Sequence, residues 1–422
     1  MISKLSYSEA YVWIWLPQQS EPVVAGKITQ AENRLVFNYG QSYLERDNAI
    51  PLDPAELPLR PGIQEKNGGT ETLHGALRDA SPDAWGRRVI LNRLLGAKGK
   101  DADPGDLGEL TYLMESGSDR IGALDFQASP TQYKPRLSGE ASLEELMNAA
   151  ELVEKGIPLT QELGMALNHG TEIGGARPKA MIEDHRKKYI AKFSSSTDIY
   201  NVIKAEFVGM RLARLCGLHI ADVKVTRAAG KDVLLVERFD REWTDKGWAR
   251  KLMLSSLTLQ GLDEMEGRYA SYQTFAEIIR HRFIRPKKTL EELFGRLVFN
   301  ILCGNTDDHA RNHAAFWDGK QLCLTPAYDI CPQFRTGGEA TQAMEINGSD
   351  RSSRLVTALA ASNHFLLDET RAREIIDAQV YTIHTKWDEV AEQAALTKVD
   401  NTLLKERIFL KPYALEGYKS AD

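Results

Sequence analysis

The stretch GNTDDHARNHAAF, residues 304–316, sets Asp307, Asp308, His309, Arg311 and Asn312 almost side by side, directly before an apolar, strand-like run. Asp307 and Asn312 stand five residues apart, and Asp329 follows 17 residues later in TPAYDI. Between them Asp318-Gly319 separates two apolar runs, a strong hairpin signal, so the chain folds back and its two acidic loops come together. Phosphoryl transfer requires this set of side chains. One Asp orients the attacking hydroxyl, while an Asn and a second Asp hold Mg²⁺ against the phosphates. Carboxylate and amide oxygens are the hard donors that Mg²⁺ prefers. Asp308 reads as a bystander facing solvent. His309 and His313 lie four apart but lack the glutamate of a zinc-binding H-E-x-x-H, so a metal pair is the weaker reading. Taken alone, the stretch would serve equally as a capping turn.

A kinase also needs a nucleotide clamp, and candidates lie upstream. HGTEIGGARPKAMI offers Gly170, Gly174 and Gly175, followed by Arg177 and Lys179. Glycines there let backbone N–H groups approach phosphate without Cβ obstruction. The apolar strand YIAKF carries Lys192, a point charge for phosphate oxygens, and the next helix offers Glu206 to hold it. VERFD closes a second strand, where backbone groups could meet adenine and Asp240 the ribose. Each piece alone has a plainer reading, a glycine turn or a snorkelling surface lysine. Their order along the chain is what makes them specific.

The elements that must position these residues are legible in outline. AYVWIWL and RLVFNYG read as half-buried strands. SPDAWGRRVILNRLLG opens on a Ser-Pro-Asp start signal and stops at Gly96, as a helix does. Residues 128–142 are poor in large apolar side chains and carry two prolines, which marks a boundary. DIYNVIKAEFVGMRLARLCGL predicts a helix ending at Gly217, with Val202, Ala205, Val208, Leu212 and Leu215 on one face and Ile203, Phe207 and Met210 on another. ADVKVTRAAGKDVLLVERF reads as a hairpin turning at Ala229-Gly230-Lys231. Helical patterns dominate from about residue 256. The expected domains are residues 1–130, β-rich; 143–255, carrying the glycine loop and Lys192; and 256–422, helical, with the catalytic and metal loops.

Composition is that of a globular protein, with 42% hydrophobic and 27% charged residues among 422. The net charge of −6 gives no general attraction to nucleic acid or anionic membrane. Four scattered cysteines form no C-x-x-C pair, which fits a reducing compartment. No stretch approaches the roughly 20 apolar residues of a membrane span. The expectation is a soluble, cytoplasmic protein with no membrane partner.

GGARPKA, YIAKF, LLVERFDR, GNTDDHARNHA and LTPAYDI, with LRDASPDAWGRR and GSDRIGALDF nearer the N-terminus, resemble the ordered motifs of the HipA family of serine/threonine-kinase toxins. The resemblance implies an α+β fold: a protein-kinase-like two-lobed core, an N-terminal β-rich subdomain and an all-helical C-terminal lobe. It implies Asp307 as catalytic base and Asn312 and Asp329 as Mg²⁺ ligands. The ATP site it implies comprises the loop Gly174, Gly175, Ala176, Arg177 and Lys179; Lys192; the adenine edge Glu237, Arg238 and Phe239 with Asp240; and His309, Arg311, Asn312, Tyr328 and Asp329. ATP and Mg²⁺ are the implied cofactors. The implied partners are a HipB-like helix-turn-helix antitoxin and a protein substrate of the translation machinery, such as an aminoacyl-tRNA synthetase. Operator DNA would be met mainly through the antitoxin, since Arg351 and Arg354 are diluted by Asp350.

The sequence departs from the family at one point. Where relatives carry an autophosphorylated serine before the glycine pair, this chain has Glu172, beside Thr171, so control through that regulatory loop is in doubt. A carboxylate there would imitate part of a phosphoserine's charge, or simply solvate the loop. Two other functions compete: a lipid or small-molecule kinase, which uses the same D-x-H-x-x-N…D set, and a catalytically silent co-repressor that supports an antitoxin on DNA.

Overall fold

The computed structural model describes residues 7–32, 34–66, 68, 72–96, 102–136, 141–167 and 177–420. The chain divides into two compact units. The first comprises Met1–Thr197, Thr226–Leu254 and Phe316–Lys320, and the second Asp198–Val225, Ser255–Ala315 and Gln321–Asp422.

In the first unit, β1 (Glu9–Ile14), β2 (Val23–Ala31), β3 (Arg34–Tyr39) and β4 (Leu124–Gln127) form an antiparallel sheet in the order β3-β2-β1-β4. Helix α1 (Ala84–Leu95) begins where Asp83 accepts the Gly86 N–H at 2.7 Å and ends at Gly96, φ +56°. Both ends lie where the start and stop signals put them. Helix α2 (Leu143–Glu154) opens on a capping box between Ser142 and Glu145. A second sheet takes β5 (Lys179–Asp184), β6 (Lys187–Lys192), β7 (Val223–Ala228) and β8 (Lys231–Glu237) in the order β5-β6-β8-β7. The β7–β8 turn uses Ala229 and Gly230, both at positive φ. Trp85 and Val89 of α1, Leu146 and Val153 of α2, and Ala191, Val233 and Leu235 of the sheet share one buried core. Residues before and after the 128–142 stretch therefore pack together. Short strands β9 (Arg241–Thr244) and β10 (Gly247–Arg250) pair with each other and β11 (Leu252–Ser255) follows, while further along the chain β12 (Ala314–Trp317) pairs with β13 (Leu322–Leu324).

The second unit is mainly helical. Helix α3 (Val202–Leu215) is capped by the Asn201 side chain, and Gly217, φ +87°, follows its end. Every residue from Val202 to Met210 is buried, so both predicted stripes are covered. Helices α4 (Tyr272–Arg282), α5 (Pro286–Cys303) and α6 (Glu369–Gln393) complete the framework. Leu293, Phe294, Leu297, Val298 and Leu302 make α5 the buried axis, each such side chain contributing about 1.5–3 kcal/mol on burial. Among the described residues no helix is long and apolar enough to cross a membrane. Arg351 donates to the Ala343 and Arg268 carbonyls and lies 3.3 Å from Glu345, while Arg354 donates to the Glu416 carbonyl at 3.2 Å. Both guanidinium groups thus have partners within the unit.

Two expected nucleotide ligands belong to the interior of the first unit. Asp240 is 4% exposed and ion-paired with Arg238 and Arg241, at 2.8 Å each. Its carboxylate also accepts the Gly122 N–H at 2.8 Å. Arg238, 5% exposed, donates to the carbonyls of Asp119 and Arg120, and its own N–H bonds the Lys188 carbonyl. Asp119 completes the cluster with Arg238, Arg241 and Lys188. Burial alone would raise Asp240, but the two guanidinium groups hold it down, at about 2. The Arg238 and Asp240 side chains lock the β8–β9 connection onto the 119–122 loop.

This network makes a direct prediction. Asp240→Ala leaves two buried guanidinium groups short of a partner and should cost about 3–5 kcal/mol in urea unfolding. The contribution of Asp240 should be full above its unfolded pKa near 4 and fade as pH falls toward about 2. Unchanged stability with weakened nucleotide binding would instead give Asp240 the ribose role.

Candidate active site

The second unit brings Asp307, Asn312 and Asp329 together. Helix α5 ends at Gly304, φ +70°, where a Cβ would lie 2.9 Å from the Ile408 carbonyl oxygen, so only glycine fits the exit into the loop. The loop then closes on itself. His309 N–H and Asn312 Nδ2 both donate to the Asp307 carbonyl, at 2.9 and 3.1 Å, and Asn312 N–H donates to His309 O at 2.8 Å. Asp307 is left exposed, and its carboxylate accepts no hydrogen bond from the described residues. Beyond the β12–β13 turn, where Gly319 has φ +93°, Tyr328 donates to the Arg311 carbonyl at 2.7 Å and ties the second acidic loop to the first. The hairpin therefore does what its Asp-Gly signal predicts.

Asp329 itself adopts φ +58°, a left-handed conformation uncommon outside glycine and frequent at functional sites. The segment after it rests on α3. A Cβ on Gly209 would lie 2.8 Å from the Ile330 carbonyl oxygen and 3.1 Å from the Pro332 ring. Burial first, then the charges of Asp329 and Asp308, push the Asp307 carboxyl above its ordinary range, against the pull of His309 and Arg335. Two carboxylates that disturb each other, beside an amide whose Oδ1 accepts no donor among the described residues, fit an oxygen-seeking divalent cation. Asp329 and Asn312 would hold such an ion.

Other predicted residues fall differently. Asp308, expected in solvent, is 2% exposed and stands 3.0 Å from His313 Nε2, because Tyr272 and His313 give it partners inside the fold. Arg311 is ion-paired with Glu264, which the sequence reading missed, at 2.5 Å. His309 is half-buried, with Nδ1 unpartnered among the described residues. In the first unit, Lys192 ends β6 half-buried, directly across from Lys179 of β5. Lys179 is 1% exposed and ion-paired at 3.0 Å with Asp83, a half-buried carboxylate that its ammonium neutralises. Glu237 pairs with Lys187 at 2.6 Å, and Phe239 packs edge-on against Phe316. Arg177 directly precedes the β5 region, and Glu206 is buried in α3. Thr171, Glu172, Gly174, Gly175 and Ala176 lie outside the described residues.

Residues 171–387 match the HipA-like C-terminal domain, and residues 14–127 the HipA N-terminal domain. The chain is 26% identical over 335 residues to a putative kinase, Y4mE, of Sinorhizobium fredii, covering 73% of this chain and 74% of the relative. It is 23% identical over 182 residues to the serine/threonine-protein kinase toxin HipA of Shewanella oneidensis, covering 37% and 42%. A solved complex of Shewanella oneidensis HipA, HipB and operator DNA matches with a TM-score of 0.66 and 17% identity over 96% of each chain. That likeness shows the fold, a kinase-like α+β architecture with two lobes.

The close approach at Gly209 yields a test. Gly209→Ala forces the Ile330–Pro332 segment away from α3, at a cost of about 1–3 kcal/mol. Because Asp329 begins that segment, Mg²⁺-dependent nucleotide binding measured by calorimetry should weaken even where the variant is fully folded. A normal affinity would show that α3 does not set the position of Asp329.

Proposed function

Because the chain belongs to the HipA family of kinases, we propose that it transfers the γ-phosphate of Mg-ATP to a serine or threonine of a protein, as the toxin of a toxin–antitoxin pair. The observation that carries this reading is the convergence of Asp307, Asn312 and Asp329 on one end of the β12–β13 hairpin. Asp307 orients the acceptor hydroxyl and takes its proton as the phosphoryl group passes to the oxygen and ADP leaves. Its raised pKa makes it a better proton acceptor than an ordinary carboxylate. Asn312 and Asp329 hold Mg²⁺, which when bound neutralises phosphate charge. In the first unit, the family resemblance assigns phosphate contacts to Lys192 and to residues 174–177.

The partner would be a HipB-like helix-turn-helix antitoxin, since the Shewanella HipA was solved with HipB and operator DNA. DNA would be read mainly by that partner, and the substrate would be a translation component such as an aminoacyl-tRNA synthetase. The match of residues 14–127 to the HipA N-terminal domain favours this reading over a small-molecule kinase.

Two substitutions separate the roles. Asp307→Asn should leave Mg-nucleotide affinity within about threefold yet lower transfer from radiolabelled ATP by about 10²–10⁴-fold and abolish growth arrest on overexpression. Asp329→Asn should weaken Mg²⁺-dependent nucleotide binding itself. Wild-type transfer by Asp307→Asn would contradict the assignment of the base.

A further inference from the structure

The side chain next to Asp307 is buried and held from two sides. Asp308 Oδ1 stands 3.0 Å from His313 Nε2, and Oδ2 accepts the Tyr272 hydroxyl. Tyr272 is the first residue of α4 and fully buried, with its ring edge-on to His313 at 5.5 Å. Phe275, one turn further along α4, lies 6.1 Å from the same imidazole. The loop is thus closed on itself by Asn312 and fastened to α4 by Asp308. Burial would raise the Asp308 carboxyl, but His313 and the hydrogen bonds from His313 and Tyr272 hold it below its ordinary range. Burial and Asp308 also drive the Tyr272 phenol far up, so it stays a donor.

Asp307 is exposed while Asp308 is buried, so two like residues in adjacent positions have opposite fates. A slip of one residue would exchange them, burying the base and exposing its neighbour. We propose that Asp308, gripped by Tyr272 and His313, is the positioning residue that fixes which aspartate is presented for catalysis. The inference rests on the reading of Asp307 as base and extends it. Stability alone does not call for a charge here, since a buried ion pair is often replaceable by apolar residues of similar volume without loss. What the charge adds is a defined register for the loop.

The test uses the full chain and the variants Asp308→Asn and Tyr272→Phe, well below each variant's Tm. Three quantities are measured: Mg-nucleotide affinity by calorimetry, steady-state ADP release from Mg-ATP with water as acceptor, and amide exchange over residues 305–313. Asp308→Asn should keep affinity within about twofold while ADP release per folded molecule falls about 10- to 100-fold, the scale of a misplacement near 1 Å. Exchange over 305–313 should quicken while α5 stays protected. ADP release per folded molecule equal to wild type, or unchanged exchange, would overturn the proposal and leave Asp308 a structural prop. If Asp308→Asn does not fold, Tyr272→Phe decides by the same readouts, because it removes one hydroxyl and leaves the Asp308–His313 pair. A wild type that binds Mg-ATP but neither releases ADP nor passes labelled phosphate to protein would sink the kinase reading, and exchange alone would then judge this inference.

Discussion

Two carboxylates of the same charge have to be kept near each other in this protein, and the second unit is arranged around that constraint. Asp307 and Asp329 come from the loops that enter and leave one hairpin, and their repulsion adds to burial in raising Asp307. Such a pair does not assemble itself, and the backbone must impose it. Gly304 lets the chain leave α5 against Ile408, Asn312 closes the first loop, Tyr328 ties the second loop to it, and Gly209 lets the Ile330 segment lie on α3. The left-handed backbone at Asp329 belongs to the same arrangement. A magnesium-bound nucleotide is the partner that would relieve the repulsion, which is why the arrangement reads as a site and not as a defect.

Most of the framework was legible because its signals are local. Asp83 and Gly96 bound α1, Asn201 and Gly217 bound α3, and Asp318-Gly319 turns the hairpin, each through backbone chemistry within a few residues. The spacing of Asp307, Asn312 and Asp329 was legible for the same reason. What the sequence hid depended on distant partners. Asp307 and Asp308 are the same residue type in sequence, and only Tyr272, 36 residues away, and His313 decide which one is buried. Asp240 closes an apolar strand and so reads as a ligand, yet it serves Gly122, 118 residues earlier. Lys179 likewise meets Asp83, 96 residues away. A usable hint was present in the Arg-Phe-Asp-Arg run, where alternate charges at the end of a buried strand call for compensation inside the fold.

The first unit spends its buried charges on rigidity, while the second unit leaves two oxygens of one loop open, and that contrast separates scaffold from site. Asp119, Arg238, Asp240 and Arg241 satisfy one another within the first unit, whereas the Asp307 carboxylate and the Asn312 Oδ1 take no hydrogen bond from the described residues. The central claim is that these open oxygens, with Asp329, receive a metal-bound nucleotide. The most direct measurement replaces Mg²⁺ by paramagnetic Mn²⁺ with a non-hydrolysable ATP analogue and follows the NMR signals of the full chain. Line broadening centred on residues 307–312 and 327–331, and lost in Asp329→Asn, is the predicted result. Broadening that leaves both loops untouched would contradict the account.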